Sequence, residues 1–282
     1  MGRTRAEIAA MAILYIETHL SERIDLEAVA EAAHYSKYHL HHMFTAETGM
    51  TLHDYIRRRR LTRAAELLVF SEKPVLDVSL AAGYESQQAF TSIFKAMYKQ
   101  TPAEYRMGKK FYPLQLKLTL TPSPPAPGQM VPRVTTAREE NVADWMKLVL
   151  LVVRDFPCFQ EKEHLENLKK HIRRNEAFLM WDGELAVGAA AFSRETGAIH
   201  FLGVHPQYRN QGVTEAFLSH LSVDGQLSIT TFRAGDRADT GQRREYLNLG
   251  FLEAELLTEY GYPTQRLILP PGHKALKGGT GV

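Results

Sequence analysis

Apolar positions in the first hundred residues recur at helical spacing, and they recur twice. Leu40, Met43 and Phe44 form one stripe; Phe90, Ile93, Phe94 and Met97 form another. Side chains three and four residues apart share one face of a helix, so both stripes predict helices turned towards a core. Their surroundings repeat as well. Ser36, Leu40, Phe44, Ala46, Thr51 and Tyr55 return fifty residues later as Ser86, Phe90, Phe94, Ala96, Thr101 and Tyr105. Just upstream, Val29, Ala33 and Tyr35 return forty-nine residues later as Val78, Ala82 and Tyr84, and one inserted residue, Glu85, reconciles the two shifts. A repeat of this kind sets the architecture of its segment. Each copy predicts two short helices joined by a tight turn, the form that delivers a helix into a DNA groove.

Beyond Val131 the pattern changes to mixed α/β. Val142, Trp145, Met146, Val149 and Val153 form one helical face, whereas Ala177 to Trp181 and Glu184 to Phe192 read as extended and apolar. Asp182-Gly183 between those two runs signals a hairpin. Further strands are expected at Ala198 to Val204 and Leu227 to Phe232, with an amphipathic helix (Val213, Ala216, Phe217, Leu221) between them. Separating the two patterns, Met107 to Met130 predicts a short strand (Leu114 to Leu120), then a proline-rich spacer from Thr121 to Gly128. That spacer is the clearest domain boundary. The expected organisation is a helical domain over 1–110, a linker over 111–130, an α/β domain over 131–270 and a tail over 271–282. Two domains suit 282 residues, and an apolar fraction of 44% lets both bury cores.

Charge and cysteine content narrow the class. No uninterrupted apolar run approaches the roughly 20 residues of a membrane span, and the N-terminus lacks a signal-peptide layout. The single cysteine, Cys158, has no internal disulfide partner, which fits a reducing cytoplasm. Residues 1–110 hold 15 Lys and Arg against 13 Asp and Glu. Within that small excess the arginines cluster at Arg57, Arg58, Arg59 and Arg60, which reads either as a nucleic-acid contact or as a solvated helix face. Three histidines, His39, His41 and His42, splay around one helix and do not converge on a metal.

Opposite the two apolar stripes lie Lys37, Tyr38, His41, His42 and Thr45 in the first copy, and Gln87, Gln88, Thr91, Ser92 and Lys95 in the second. These side chains suit base edges and phosphates: glutamine pairs with adenine through two hydrogen bonds, and threonine can donate, accept or touch a thymine methyl. Ser36 and Ser86 are placed as N-caps, which aims the helix N-termini at a phosphate backbone. The run from Leu26 to Leu68, the turn Gly83-Tyr84-Glu85-Ser86-Gln87-Gln88 and the stretch Thr101-Pro102-Ala103-Glu104-Tyr105-Arg106 together resemble the AraC/XylS family of bacterial transcription regulators over about residues 10–106. The resemblance implies two helix-turn-helix units joined by one long helix, about Leu52 to Phe70, with recognition helices in successive major-groove faces of double-stranded DNA. His42 and Ser92 stand where that family often has arginine, which implies a different target site.

The second domain carries its own chemistry. Val204-His205-Pro206-Gln207-Tyr208-Arg209-Asn210-Gln211-Gly212-Val213-Thr214 places a basic, glycine-containing turn between a strand and a helix. Free N–H groups and the helix dipole at such a junction suit a pyrophosphate; alone, the turn also reads as an ordinary loop. With Tyr246-Leu247-Asn248-Leu249-Gly250-Phe251 downstream, the segment resembles the GNAT N-acetyltransferase superfamily over about residues 131–270. The resemblance implies acetyl-CoA as co-substrate or ligand. Arg209, Gln211, Gly212 and Thr214 would hold the pyrophosphate, and the backbone of Gly203 and Val204 would line the pantetheine arm. Tyr246 would protonate the leaving thiolate, with packing in the core as its alternative role. His200 would serve as base, with an ordinary strand residue as its alternative. Phe156, Phe159 and the strands around Trp181 are expected to shape the acceptor pocket. Thr214 replaces the usual glycine or alanine, and Asp239 the usual asparagine, so a side chain and a carboxylate enter the phosphate region.

The fold class expected is thus an all-α double helix-turn-helix domain followed by an α/β GNAT fold with a mixed sheet. The expected function is sequence-specific DNA binding, coupled to a domain that acylates an amine from acyl-CoA or senses a small-molecule effector without chemistry. A third possibility is an enzyme whose helical half docks a protein. No membrane partner is expected.

Overall fold

The computed structural model describes residues 3–22, 24–121, 133–221 and 225–271. The chain divides into two compact units, Met1–Pro124 and Pro125–Val282. Most of the proline-rich spacer, from Pro122 onward, and the tail from Gly272 onward lie outside the described residues.

The described residues of the first unit form seven helices: α1 (Arg5–Thr18), α2 (Leu26–Ala33), α3 (Lys37–Thr48), α4 (Leu52–Phe70), α5 (Val75–Ala81), α6 (Gln87–Tyr98) and α7 (Pro102–Gly108). Polar caps set most of their starts. Ser36 Oγ accepts the N–H of His39 at 3.3 Å, and Ser86 Oγ that of Ala89 at 3.2 Å. Thr4 and Thr101 form reciprocal capping boxes with Glu7 and Glu104. Such caps satisfy donors that a helix start leaves free, each contributing about 0.5–2 kcal/mol. The repeat extends to backbone geometry. His34 (φ 61°) and Gly83 (φ 73°) occupy matching left-handed positions in the two turns. A Cβ on Gly83 would lie 2.9 Å from Arg60 Cζ, so the guanidinium, which packs over this glycine, would have to shift to admit a side chain. Phe44 meets Tyr55 edge-on in the first copy, and Phe90, Phe94, Tyr98 and Tyr105 form the ring stack of the second.

Two expectations are corrected. Ile93 is half-buried and not a core residue, because the second core is closed by Phe90, Phe94, Met97 and Tyr98. Residues 114–120 form no strand. They run extended along α4, where Leu114 and Gln115 donate their N–H groups to Thr62 Oγ1 at 3.0 and 3.1 Å. Side chains on the helix replace the sheet ladder that this segment's backbone would otherwise need.

The second unit is a seven-stranded mixed sheet of order β1-β2-β3-β4-β5-β7-β6. Its elements are β1 (Val134–Thr136), α8 (Val142–Val152), α9 (Glu161–Arg173), β2 (Ala177–Asp182), β3 (Leu185–Phe192), β4 (Ala198–Val204), α10 (Val213–Leu221), β5 (Leu227–Phe232), α11 (Gln242–Asn248), β6 (Leu252–Glu259) and β7 (Tyr262–Leu269). Two glycines show how helices cover both faces. Gly188 pairs with Val204, and Ala189 with Gly203, so Gly188 and Gly203 address opposite faces. A Cβ on Gly188 would lie 2.7 Å from Phe217 and Val213 of α10; one on Gly203 would lie 3.0 Å from Val152 of α8. The α10 face carries the main core, including Phe217, Leu218, Tyr246 and Phe251.

Among the described residues only β4 and β5 pair in parallel, and only through Ala198 with Ser228 and Ile199 with Ile229. From His200 and Thr230 onward the ladder stops, leaving a wedge between two central strands. Among the described residues no helix is long and apolar enough to cross a membrane.

Candidate functional site

In the first unit, α3 and α6 each begin at a serine cap and bury one stripe. Lys37, Tyr38 and His42 are exposed on α3, as are Gln87, Gln88, Ser92 and Lys95 on α6. Tyr38 is 84% exposed, unusual for a large ring without a contact partner. Lys37 pairs with Glu27 of α2 at 2.5 Å. Both side chains are half exposed, so the pair is weak and a phosphate could replace the carboxylate. His41, Thr45 and Thr91 are half-buried, and the Thr45 hydroxyl is shut off from solvent without a hydrogen-bond partner. It therefore does not project with the other residues of its stripe.

Three of the four consecutive arginines serve the unit's own structure and do not form a solvated face. Arg58 is 2% exposed. Arg59 forms a fork with Glu17 of α1, Nε to Oε1 and Nη2 to Oε2, both at 2.7 Å, and donates Nη1 to the Gln115 carbonyl at 2.9 Å. Arg60 donates to the Leu20 and Glu22 carbonyls while its guanidinium covers Gly83. Arg57 pairs with Asp54. Arg58, Arg59 and Arg60 are drawn in by partners from other segments of the unit, whereas Arg57, like Arg63 further along α4, stays partly open to solvent.

In the second unit, the basic turn is held by carboxylates. Arg209 donates Nη2 to Asp155 Oδ2 at 2.6 Å, and Thr240 donates its hydroxyl to Asp155 Oδ1 at 2.7 Å. Thr214 is 6% exposed and donates to Glu245 Oε1 at 3.1 Å. Burial raises the pKa of Glu245, against the opposing pull of Arg209 and the Thr214 hydroxyl. Burial likewise raises that of Asp239, with the charge of Asp155 adding to it. Gln211 donates Nε2 to the Gln207 carbonyl at 3.0 Å, and Gly212 supplies the left-handed step (φ 80°) before α10. His205 is 1% exposed and accepts the Gln207 N–H on Nδ1; burial, then Arg209, lowers its pKa to about 4, so it shapes the turn as a neutral ring. Arg209, Thr214, Asp155 and Glu245 thus converge, with anionic groups around the one turn expected to receive an anion.

Tyr246 is 2% exposed in the α10-face core, its ring 5.6 Å from that of Phe251, and burial pushes its pKa well above the ordinary value. His200 lies elsewhere, at the rim of a cavity of about 500 Å³ whose lining also includes Trp145, Phe156, Phe159, His164 and Phe201. Tyr246 and Trp181 are not among the residues that line it. Phe156 stacks on Phe201 with centroids 4.6 Å apart, and Trp145 lies 5.7 Å from the same ring. Trp145 donates Nε1 to His164 Nε2 at 3.0 Å; burial, then His171, lowers the His164 pKa to about 4, leaving that ring neutral. Burial, then His171, also lowers the pKa of His200. Glu163 and Glu259 add carboxylates to the lining, and Tyr260 donates its hydroxyl to Glu163 at 2.7 Å. Arg266, also in the lining, pairs with Glu255 at 3.7 Å. Asp155, Glu245, His164 and Glu163 lie outside the sequence patterns. Glu163 and His164 open a helix too polar to show an apolar stripe, and Asp155 simply follows one.

A family profile described as "Helix-turn-helix domain" matches residues 29–108. The regulatory protein SoxS of Escherichia coli K12 is 40% identical over 94 residues, covering 33% of this chain and 88% of SoxS. The uncharacterized HTH-type transcriptional regulator YbfP of Bacillus subtilis is 43% identical over 94 residues, covering 33% of this chain and 32% of YbfP. The chain therefore spans about a third of that longer relative. A solved acetyltransferase of the GNAT family from Bacillus cereus is similar to half of the chain, with 11% identity, 99% of that structure covered and a TM-score of 0.40. At that level the likeness adds nothing to the sheet order given above. Two capped, repeated helix pairs on a central helix, matched over nearly the whole of SoxS, place the chain in the AraC-type helix-turn-helix family.

Proposed function

We propose that the chain is a DNA-binding transcription regulator whose second unit senses a ligand. The observation that carries the first part is the pair of serine-capped helices α3 and α6. Their exposed faces hold Lys37, Tyr38, His42, Gln87, Gln88, Ser92 and Lys95 and no carboxylate among these residues. Such faces suit phosphate and base edges.

For the second unit, sensing is favoured over acyl transfer. The wedge between β4 and β5, beside Gly203 and Val204, suits an extended thioester arm, as the GNAT resemblance implies. The surroundings disfavour turnover. Asp155, Asp239 and Glu245 crowd the turn where the acetyl-CoA diphosphate would lie, and Arg209 already serves Asp155. The raised pKa of Tyr246 makes proton transfer to a thiolate, whose conjugate acid titrates near about 8.5, more uphill. With acetyl-CoA and a panel of amines, we expect thiol release no faster than without protein. Turnover that Tyr246→Phe abolishes would restore the transferase reading.

The cavity beside His200 is the better ligand site. Five aromatic rings, neutral imidazoles and the carboxylates of Glu163 and Glu259 suit a flat apolar body bearing an ammonium group. In calorimetric titration an aromatic quaternary ammonium should bind about tenfold more tightly than its neutral isostere, the contribution of a desolvated cation–π contact. Phe156→Ala should remove that preference. Equal affinity for charged and neutral probes would contradict the cation assignment.

A further inference from the structure

The segment Tyr112–Leu118 lies beyond residue 108, where the helix-turn-helix match ends, yet it is among the best-buried parts of the first unit. At one end, Tyr112 belongs to the second helix pair. Its N–H donates to Tyr105 Oη at 2.9 Å, its ring lies 5.1 Å from Tyr98, and its hydroxyl donates to the Tyr98 carbonyl at 3.4 Å. In the middle, Leu114 and Gln115 share Thr62 Oγ1 at the centre of α4. At the other end the segment meets the first half of α4, where Tyr55 packs edge-on against Phe44 of α3. Gln115, fully buried, gives its carbonyl to Arg59, which is forked on Glu17 of α1; Leu118 donates its N–H to Tyr55 Oη at 3.4 Å, and Tyr55 donates to the same Glu17 at 2.8 Å. One strap therefore touches α4 from Tyr55 to Thr62, α6 and α7, and reaches α1 through the Arg59 and Tyr55 side chains that bond Glu17.

We propose that this strap is a specificity-determining element: it fixes the separation of α3 and α6, and so the spacing of the two DNA half-sites the chain accepts. The inference rests on the DNA-binding reading above. Two helix pairs carried on one 19-residue helix could otherwise bend or roll about it. A strap bonded to the first half and centre of that helix, and through Tyr112 to α6 and α7, removes this freedom, and rigid spacing converts into selectivity for half-sites one helical turn apart. Its backbone groups are satisfied by side chains of the helices and not by a ladder of its own. Loss of one acceptor, Thr62, therefore strands two buried N–H groups and releases the middle of the strap.

The test uses the full-length chain and a duplex that it selects from a randomised pool. Inserting or deleting one base pair between the half-sites should weaken wild-type binding at least about tenfold, whereas Thr62→Val should reduce that penalty to about threefold or less. Affinity of Thr62→Val for a duplex with one half-site should stay within about twofold of wild type, and its far-ultraviolet circular dichroism should be unchanged; these readouts separate loosened spacing from unfolding. A second variant, Leu118→Ala, should move the spacing penalty in the same direction. If wild type selects a sequence but both variants keep the full penalty, the strap does not set spacing. If wild type selects nothing, the DNA-binding reading itself is overturned.

Discussion

Replacing Arg59 with alanine should cost the first unit about 3–5 kcal/mol of folding stability, the penalty for stranding one partner of a buried ion pair. The Arg59 and Glu17 side chains are only 15% and 12% exposed, so solvent screens the pair little. Loss of the guanidinium leaves Glu17 against the Tyr55 hydroxyl alone and removes the donor to the Gln115 carbonyl. For a unit of this size the melting temperature should fall by roughly 10 °C or more. Arg59→Lys should rescue little, because an ammonium cannot reproduce the two-pronged contact with Glu17. The contrast is Lys95→Ala on exposed α6, which should leave melting unchanged. A normal melting curve for Arg59→Ala, together with lost DNA affinity, would return the arginine run to the nucleic-acid face.

Alanine at both Gln87 and Gln88 should relax discrimination at the base pairs under α6 by about 10–100-fold, the worth of about 1–3 kcal/mol per good base contact. Both side chains are exposed in the first turn of α6, immediately after the Ser86 cap, where a recognition helix meets base edges. Because neither glutamine is charged, the salt dependence of binding should not change. Lys95→Ala should do the reverse, weakening all sequences alike and lowering the slope of log K against log salt by about 0.9. Competition binding against single-base variants of the selected site separates the two effects. Uniform weakening in the Gln87/Gln88 variant would show that α6 contacts backbone only.

What was legible in the sequence followed from periodicity and caps. Strands β4 and β5 span Ala198–Val204 and Leu227–Phe232, the ranges read from the sequence, and helix α4 spans Leu52–Phe70, the range that the family resemblance implied. These elements carry a clear apolar rhythm bounded by Thr51, Gly197 or a turn. Helix α9 did not show, because Glu161–Arg173 is mostly charged and buries only Leu168 and Ile172. Strands β6 and β7 were equally hidden; β6 lies at the sheet edge and exposes Leu252 and Leu256, so no alternation marks an inner face. The arginine run misled for a different reason. Charge density along a sequence says nothing of whether a helix has a free side, and Glu17, Leu20 and Gln115, which claim those side chains, are distant in the chain. The same holds at the turn before α10: the motif was visible, but the carboxylates of Asp155 and Glu245 come from other elements. Thr214 and Asp239 were the only residues of that neighbourhood whose departure from the expected pattern signalled it.

The most direct test of two recognition helices acting together is a hydroxyl-radical footprint of the full-length chain on its selected duplex. Two protected stretches about 10 base pairs apart should appear. Alanine at Lys37, Tyr38 and His42 should erase one, and alanine at Gln87, Gln88 and Lys95 the other. A single protected stretch lost with either set, or no protection of any duplex even in dilute salt, would contradict the account.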